Sequence, residues 1–374
     1  MSAELTDEQR DVRDLARRFA TEVVAPQAAA WDREHRFPRE VLSQLGELGL
    51  MGVCVPADLG GAGADFLSYV LVLEELSRAD AGLGVTVAVH TSAGTLPIIA
   101  HGAPTQVERL VPPLAQGQEL AAFALTEAEA GSDAAALRTQ HSGGCLTGTK
   151  QWITNGSHAH VFIAFARDSD ADDRISAFVV RRGAAGFRAT REEEKLGLNS
   201  SSTADLAFED TPAERLGAAG AGMRIALSTL DGGRIGIAAQ AVGIAQAALE
   251  LATAHARERR AFGGPIGRFG QIQHKLAEMQ TEIEAARALT WRAARLKTAG
   301  LPHTVEGAQA KLFASRVARR QTGEAIQVLG GYGYTKELPA ERYYRDAKVT
   351  ELYEGTSEIQ RLVIARALLG EAAR

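Results

Sequence analysis

The sequence is poor in the residues that mark several large classes of protein. It has only two cysteines in 374 residues, Cys54 and Cys145, which rules out a disulfide framework, and no closely spaced Cys/His set suggests zinc. Aromatic residues make up 6% of the chain, and 41 Lys and Arg against 46 Asp and Glu leave a formal charge of −5. Because this balance gives no strong field toward phosphates or acidic lipid, we expect no nucleic-acid partner and no membrane partner.

Long uninterrupted hydrophobic runs are also missing. The most apolar stretch, residues 81–100, is broken by His90, Thr91, Ser92 and Pro97, so we expect it to fall short of the ~20 apolar residues of a membrane span. The first residues lack the basic-then-apolar order of a secretory signal. Together with the unpaired cysteines, these features predict a soluble, cytoplasmic protein.

Common nucleotide and hydrolase signatures do not occur. The sequence contains no G-x-G-x-x-G, no G-x-x-x-x-G-K-[ST], no H-E-x-x-H and no G-x-S-x-G. Strand-like runs do not alternate with helical ones in a βαβ order either. These absences argue against nicotinamide-binding Rossmann proteins, P-loop enzymes, zinc peptidases and α/β-hydrolases, and we predict no metal site.

Hydrophobic periodicity divides the chain into three parts. A helical pattern starts at a capping box, Thr6 to Gln9, and is predicted to end at Pro26. From about residue 121, short apolar runs and the alternation in residues 203–209 predict strands. After about residue 222 helical spacing returns and predicts an antiparallel bundle of long helices. The fold class is therefore α+β and multidomain, divided as 1–120, 121–222 and 223–374.

Three segments rich in glycine and hydroxyl groups lie where these parts meet. Residues 123–133 could hold an anionic or heterocyclic ligand, or form an ordinary loop with a turn. Residues 150–156 could stack a flat ring on an aromatic side chain, or form a strand that ends in an Asn-Gly turn. In residues 352–360, Glu354 precedes a glycine and a helix whose N-cap is Thr356 or Ser357. Its carboxylate is either a helix-dipole partner or a general base on a tight turn.

Six segments, in order along nearly the whole chain, resemble the acyl-CoA dehydrogenase family, and most closely its short-chain and butyryl-CoA members. They are Phe123–Asp133, Lys150–Asn155, Asp231–Ile237, Arg259–Gly263, Gln327–Tyr334 and Tyr353–Arg361. The resemblance implies an N-terminal α-helical domain, a central β-barrel and a C-terminal four-helix bundle. It also implies one FAD per subunit and a homotetramer built as a dimer of dimers.

The resemblance further implies a role for individual residues. Glu354 is the expected catalytic base, which removes the substrate α-proton while a hydride passes from Cβ to the flavin. The cofactor-binding residues implied are Phe123, Leu125, Thr126, Ser132, Trp152, Ile153, Thr154, Arg259, Phe262, Gln327, Val328, Gly330, Gly331, Thr356 and Glu358. The substrate-binding residues implied are Ser132, Asp231, Arg234, Tyr353 and Gly355. Asp231 and Arg234, three residues apart on a helix, also fit a surface salt bridge.

The implied reaction is FAD-dependent α,β-dehydrogenation of an acyl-CoA thioester to the trans-2-enoyl-CoA, as in fatty-acid β-oxidation. The electrons are expected to pass to electron-transferring flavoprotein. Three alternatives stay open: an acyl-CoA oxidase, a carrier-protein-linked acyl dehydrogenase of the same fold, and a catalytically silent helical binding protein.

The sequence departs from the family pattern at several positions. Ala128 replaces a proline of the first loop, which predicts a looser loop. Gly270 stands where a glutamine usually reaches FAD, which predicts the loss of one hydrogen bond worth ~0.5–1.5 kcal/mol. Ser228 replaces a larger glutamine of short-chain enzymes, whereas Thr350 matches their pattern. We therefore expect a pocket somewhat deeper than that of a strict butyryl-CoA enzyme.

Overall fold

A computed structural model describes residues 4–373, with helices at both ends of the chain and a sheet between them. The predicted fold class is confirmed. The N-terminal helices are α1 (Asp7–Phe19), α2 (Ala25–Glu34), α3 (Arg39–Glu47), α4 (Phe66–Ala79), α5 (Ala81–Ala88), α6 (Leu96–His101) and α7 (Pro104–Ala115). The C-terminal helices are α8 (Gly222–Glu258), α9 (Gly270–Thr298), α10 (Thr304–Leu329), α11 (Gly331–Tyr334), α12 (Ala340–Val349) and α13 (Ser357–Leu369).

The first helix starts as predicted but does not end where predicted. The Thr6 hydroxyl accepts from the Gln9 N–H at 3.2 Å, and the Gln9 side chain accepts from the Thr6 N–H at 3.0 Å, so the capping box is confirmed. The predicted end at Pro26 is wrong. The helix continues through a π-helical segment, Ala20–Val24, into α2. Pro26 directly follows the residue whose N–H donates to the Ala20 carbonyl, so it lies where the regular i→i−4 hydrogen bonding is already interrupted.

The strands form one large sheet and one short hairpin. The large sheet contains β1 (Ala121–Ala124), β2 (Gln140–Ser142), β3 (Cys145–Thr154), β4 (Val161–Asp168), β5 (Arg174–Arg181), β6 (Phe187–Glu192), β7 (Thr203–Pro212) and β8 (Glu214–Leu216). Its order is β6-β7-β3-β2-β4-β5-β8, with β1 parallel to β4. The hairpin is β9 (Arg260–Ala261) with β10 (Gly264–Pro265).

The sheet does not close into the barrel that the resemblance implied. Within residues 4–373 its end strands β6 and β8 are not paired with each other. Strand β8 has only three residues and the chain then leaves the sheet toward α8, so little edge remains for pairing. Both sheet faces are nevertheless covered: Ile163 and Phe165 pack with α7, whereas Phe162 and Phe178 pack in a second cluster on the opposite face.

The N-terminal and C-terminal helices share one hydrophobic core. Leu73 of α4, Val242 of α8, Ile283 of α9 and Val317 of α10 are all buried in it. By length and composition alone, two helical segments could cross a membrane: 81–101, which includes the stretch expected to fall short, and Gly222–Glu258. In each of them 83% of the most apolar window is buried inside the protein, so these side chains serve the core.

Small residues let α8 approach α4 closely, and this contact can be tested by substitution. A Cβ added at Gly243 would lie 2.3 Å from the Glu74 carbonyl oxygen and 3.0 Å from the Arg78 nitrogen. We expect Gly243→Ala to lower the free energy of unfolding by about 1–3 kcal/mol, because the two helix backbones must separate. Urea unfolding followed by circular dichroism measures this change.

The matched control is Gly323→Ala on α10. A Cβ there would meet only the Tyr344 ring, at an ordinary 3.7 Å. Because alanine favours a helix interior by about 0.5–1 kcal/mol over glycine, this variant should be as stable as the parent or more so. Equal destabilisation by the two substitutions would contradict the close-approach argument.

Candidate active site

The turn between α12 and α13 presents Glu354 in an uncommon backbone conformation. Glu354 has φ +52° and Gly355 has φ +86°, two successive residues in the left-handed region. Such a conformation costs a non-glycine residue about 1–2 kcal/mol and persists only where neighbours enforce it. The Thr356 hydroxyl caps α13 by accepting from the Ile359 N–H at 3.3 Å, so Thr356, not Ser357, is the N-cap. The turn is thus fixed from its helical side.

Two buried side chains, Lys311 and Gln360, form hydrogen bonds with the backbone of the Glu354 turn. The Gly355 carbonyl accepts from Lys311 Nζ at 2.6 Å and from Gln360 Nε2 at 2.7 Å. Gln360 Nε2 also donates to the Glu354 carbonyl at 3.4 Å. Both side chains are fully buried, at 0% exposure. Three hydrogen bonds to consecutive carbonyls therefore over-determine the conformation that Glu354 adopts.

The Glu354 residue is partly exposed, but one of its carboxylate oxygens is not. The Oε2 atom is shielded from solvent and has no hydrogen-bond partner. Burial raises the pKa of Glu354 from 4.5 to about 7, against the opposing charges of Lys311 and Arg234. A Cβ at Gly233 of α8 would lie only 2.4 Å from Oε2, so glycine is needed there to leave room for the carboxylate. A carboxyl group with this pKa can exchange a proton near neutrality.

Arg234 and Asp231 form an ion pair next to this carboxylate. Arg234 Nη1 lies 2.6 Å from Asp231 Oδ1, and the two side chains are 5% and 20% exposed. Asp231 Oδ2 also accepts from the Thr304 hydroxyl at 2.6 Å, whereas Arg234 Nε is buried without a partner. The pair is therefore a salt bridge but not a surface one, and it connects α8 to α10 beside Glu354.

Hydrogen bonds from the sheet and from the Glu354 turn meet on α5. On one side the Tyr353 hydroxyl donates to Gln240 Oε1, and Gln240 Nε2 donates to the Ala81 carbonyl at 2.8 Å. On the other side Asn155 Nδ2, at the end of β3, donates to the Thr86 carbonyl at 3.1 Å. An α-helix with its side chains is only about 10–12 Å across. Helix α5 therefore brings the end of β3 and the Glu354 turn close together.

Trp152 on β3 exposes a flat ring near this junction. Its indole is 55% exposed and its backbone has φ +58°, at a register shift between Lys150 and Ile153. The backbone N–H of Trp152 donates to Asp205 Oδ1 at 3.2 Å, which holds the irregular strand in place. Thr154 is partly exposed, whereas the Ile153 side chain is 2% exposed and packs in the sheet core. Only the backbone of Ile153 is thus available to a ligand.

The loop after β1 is held by a buried ion pair. Lys150 Nζ lies 2.7 Å from Glu127 Oε1 and donates to the Leu125 carbonyl at 3.1 Å. The Glu127 carboxylate also accepts from the Arg138 N–H, the Thr139 N–H and the Thr139 hydroxyl. These bonds fix the loop around Ala128. Thr126 on this loop and Phe123 on β1 are partly exposed and Ser132 is exposed, whereas Leu125 is 7% exposed.

The remaining predicted cofactor residues lie at the far end of the bundle. Arg259 stacks 5.6 Å from the Tyr332 ring centre, Phe262 is 89% exposed, and Gln327, Gly330 and Gly331 are exposed. Val328 is buried in the core. Gln327 follows Lys311 by sixteen residues on α10, which corresponds to about 24 Å along a helix. Within one chain, this group is therefore not brought to Glu354.

Thr356 and Glu358 lie in the first turn of α13. The Glu358 side chain is 75% exposed and pairs with Arg361 at 3.3 Å. Its own backbone N–H, at the helix N-terminus, lowers the pKa of Glu358. Both residues are close to Glu354 in sequence and on the same turn.

Several side chains of the site were not predicted from the sequence. Lys311, Gln240, Gln360 and Gly233 all contact or constrain the Glu354 turn. Only Lys311 left a usable signal: it lies in a row of small and apolar residues on α10, a face that the helical period predicts to be buried. Because buried polar side chains need hydrogen-bond partners, a lysine on such a face predicts a contact with a buried polar group.

One group in the described range has metal-ligand spacing. His141, Asp168 and Asp170 offer ligand atoms within 4.8 Å of one another. The Arg215 guanidinium already pairs with both carboxylates, at 3.0 and 2.9 Å, and Asp168 also accepts from the Ser176 hydroxyl. These bonds explain the cluster as a charge network in the sheet.

Comparison with known proteins assigns every part of this architecture to one family. Models described as the acyl-CoA dehydrogenase N-terminal, middle and C-terminal domains match residues 6–118, 122–211 and 220–369. The chain is 48% identical to the mitochondrial short-chain specific acyl-CoA dehydrogenase of Mus musculus, over 98% of this chain and 92% of that protein.

Two solved structures are close in shape as well as in sequence. Butyryl-CoA dehydrogenase from Megasphaera elsdenii superposes with a TM-score of 0.95 at 42% identity, covering 99% of this chain and 100% of that one. A chain solved in work on the electron-transferring flavoprotein of Acidaminococcus fermentans superposes with a TM-score of 0.97 at 43% identity, with the same coverage.

The raised pKa of Glu354 has a consequence for stability. Because its folded-state pKa lies above the unfolded value of 4.5, folding favours the protonated form, and stability is lost as the pH rises from about 4.5 to 7. Glu354→Gln cannot ionise, so it should be more stable than the parent by up to about 3 kcal/mol at pH 8. The difference should vanish below about pH 4.5. Chemical unfolding at several pH values measures it.

The control for this comparison is Glu337→Gln, at an exposed position two residues before Pro339. Its stability difference from the parent should be small at every pH. If the Glu354→Gln difference is the same at pH 5 and pH 8, burial of an ionisable carboxyl is not what sets the stability of this turn.

Proposed function

Because the chain belongs to the acyl-CoA dehydrogenase family, we propose that it catalyses FAD-dependent α,β-dehydrogenation of short acyl-CoA thioesters, with Glu354 as the base. The product is the trans-2-enoyl-CoA. Electron-transferring flavoprotein is the electron acceptor, supported by the likeness to the Acidaminococcus fermentans chain. This chemistry corresponds to one oxidation step of fatty-acid β-oxidation.

One observation supports the assignment of the base above the others. Glu354 Oε2 is buried without a hydrogen-bond partner, in a turn whose conformation is enforced by several bonds, and its pKa is raised to about 7. A structural carboxylate would normally be paired or hydrated. A helix-dipole partner would lie at the exposed start of α13, which is where Glu358 is.

The residues around Glu354 account for the proton transfer. Glu354 takes the proton from the substrate α-carbon, and Tyr353 and the acyl chain exclude water from the carboxylate. The Glu354 backbone N–H is the group we propose to polarise the thioester carbonyl, which makes the α-proton more acidic. Arg234 and Asp231, joined as an ion pair beside the turn, are placed to contact the CoA portion. Ser132 and Gly355 complete the proposed substrate contacts.

The exposed surface near β3 fits the flavin that the family carries. FAD, when bound, supplies the acceptor for the hydride lost from the substrate β-carbon. Trp152 offers a bare aromatic face in a fixed, irregular strand, and Thr154 offers a hydroxyl group two residues later. We propose that Phe123, Leu125 and Thr126 line the same flavin. The backbone of Ile153 and the cap residues Thr356 and Glu358 would complete this part of the site.

A second copy of the chain is needed to explain the other predicted cofactor residues. Arg259, Phe262, Gln327 and the Gly330–Gly331 pair are exposed, and Gln327 lies about 24 Å along α10 from Lys311, which contacts the Glu354 turn. Val328 is buried and supports their helix. We propose that they bind the FAD of a neighbouring subunit, in a homotetramer arranged as a dimer of dimers. The large exposure of Phe262 and of Tyr334, at 89% and 85%, supports an interface there.

We also propose three domains, 1–120, 121–222 and 223–374, and a cytoplasmic location. The start of β1 at Ala121 and of α8 at Gly222 supports the division. Cys54 and Cys145 are unpaired, which supports a reducing compartment.

The assignment of the base is tested by Glu354→Gln. Removing a general base should lower kcat with butyryl-CoA by at least ~10²–10⁴-fold, while FAD content and visible spectrum stay unchanged. Dye reduction in steady state and anaerobic bleaching of the flavin both measure the loss.

The exposed Glu337→Gln variant is the control, and it should keep the activity of the parent. Near-normal turnover by Glu354→Gln would refute the base. A parent protein that holds FAD but forms peroxide in air at the rate of dye reduction would point instead to the oxidase alternative.

We expect the substrate range to depend on the side chains at two positions, Ser228 and Thr350. Thr350 is fully buried, its hydroxyl donating to the Ala347 carbonyl at 2.7 Å, while the small Ser228 bonds only its own helix, to the Ile225 carbonyl at 3.0 Å. Because nothing as large as glutamine stands at Ser228, we expect kcat/KM for hexanoyl-CoA to be within about tenfold of that for butyryl-CoA. A panel of linear acyl-CoAs measures it. A sharp maximum at four carbons with collapse by six to eight would contradict the deeper pocket.

A further inference from the structure

One fully buried lysine on α10 lies against the Glu354 turn, and neither the sequence motifs nor the proposed mechanism uses it. Lys311 is 0% exposed, and its Nζ donates to the Gly355 carbonyl at 2.6 Å. Burying an ammonium group is costly unless it is paired, so its presence needs an explanation.

We infer that Lys311 is a positioning residue for Glu354: its ammonium group donates a hydrogen bond to the Gly355 carbonyl and places a positive charge near the Glu354 carboxylate. This inference rests on the proposed function, in which Glu354 is the base. It adds a residue that acts through the base and does not touch the reacting atoms.

The first part of the role is geometric. The Ser315 hydroxyl, one helical turn after Lys311, lies 2.8 Å from the Thr350 carbonyl oxygen and 2.7 Å from the Lys311 carbonyl oxygen, so the two acceptors share its single proton. Lys311 and Ser315 of α10 thus form hydrogen bonds with the turn on both sides of Glu354, at Gly355 and at Thr350. Glu354 and Gly355 are both in the left-handed region, a backbone conformation that persists only where neighbouring groups enforce it. The hydrogen bond from Lys311 to the Gly355 carbonyl is one of the contacts that enforce it, and it therefore helps to hold the backbone that carries the carboxylate.

The second part of the role is electrostatic. The ionisable groups that act on Glu354 include Lys311 from α10, Arg234 from α8, Tyr69 from α4 and Tyr353 from its own turn. The two tyrosines stay neutral because burial raises both pKa values. Arg234 shares its charge with Asp231 at 2.6 Å. Lys311 is thus the less compensated of the two cations that face the carboxylate.

The charge on Lys311 depends in turn on its neighbours. Burial lowers the pKa of Lys311 to about 8, and the nearby Arg234 lowers it as well, whereas Glu354, Glu351 and Glu358 oppose the change. Near pH 7 the lysine is therefore mostly cationic while Glu354 is only partly ionised. A cation here favours the ionised form of the carboxylate, which is the form able to accept the substrate α-proton.

The test is the pH dependence of kcat/KM for butyryl-CoA in Lys311→Met, which keeps the length of the side chain but removes the charge. We expect the acid limb to move up by about one pH unit or more, so that activity falls about fivefold or more at pH 7 and partly recovers at higher pH. FAD content and the visible spectrum should match the parent.

Ser315→Ala is the matched control, because it removes the other hydrogen bond from an α10 side chain to the same turn without changing a charge. Its stability should fall, but its acid limb should stay where the parent has it. If Lys311→Met does not fold, Lys311→Gln is a second neutral variant for which the same upward shift is expected. An unchanged acid limb in either neutral variant overturns the inference, and so does an equal shift in Ser315→Ala.

A double-variant comparison separates this inference from the proposed function. When Glu354 is already glutamine, adding Lys311→Met should lower the residual rate less than about twofold, because the lysine acts through the carboxylate. A further tenfold loss would overturn the inference. Failure of the parent protein to transfer electrons from any acyl-CoA to FAD would instead overturn the proposed function.

Discussion

The burial of one carboxylate oxygen, Oε2 of Glu354, on a left-handed turn is the constraint on which the site depends. Leaving Oε2 without a partner costs free energy, and so does the backbone conformation. Both costs are offset by contacts from the surrounding helices: Gly233 of α8 gives the carboxylate room, and Lys311 of α10 and Gln360 of α13 hold the carbonyls. The helical bundle therefore functions as a frame that stabilises an otherwise unfavourable turn.

Buried lysines perform a comparable task in two different parts of the fold. In the sheet domain, Lys150 binds the Leu125 carbonyl and the Glu127 carboxylate, and so fixes the loop that carries the proposed flavin contacts. In the bundle, Lys311 binds the Gly355 carbonyl beside Glu354. In each case the lysine side chain extends from a regular strand or helix to an irregular segment. Its hydrogen bond to a carbonyl group there fixes the irregular segment against the regular element.

Features that depend on neighbours in sequence could be predicted, and those that depend on packing could not. The capping box at Thr6 and the cap at Thr356 were among the predicted features because each bond joins residues three apart. The alternation of apolar and polar residues in β7 likewise predicted which of its side chains are buried. The predicted helix end at Pro26 was wrong because proline can also follow a π-helical segment within a continuing helix, and the periodicity of the sequence did not indicate that segment. Closure of the sheet also depends on distant edges, and it was predicted wrongly.

The sequence by itself determined the order of helices, strands and helices, the family, and the identity of the residue proposed as the base. These follow from periodicity and from short motifs, which are local properties of the chain. Only the tertiary structure decided what surrounds Glu354: that its Oε2 is unpaired, that Arg234 turns inward with Asp231, and that Lys311 lies beneath the turn. The physical reason is that a pKa, a strained backbone and a buried charge each depend on groups brought together from helices far apart in sequence.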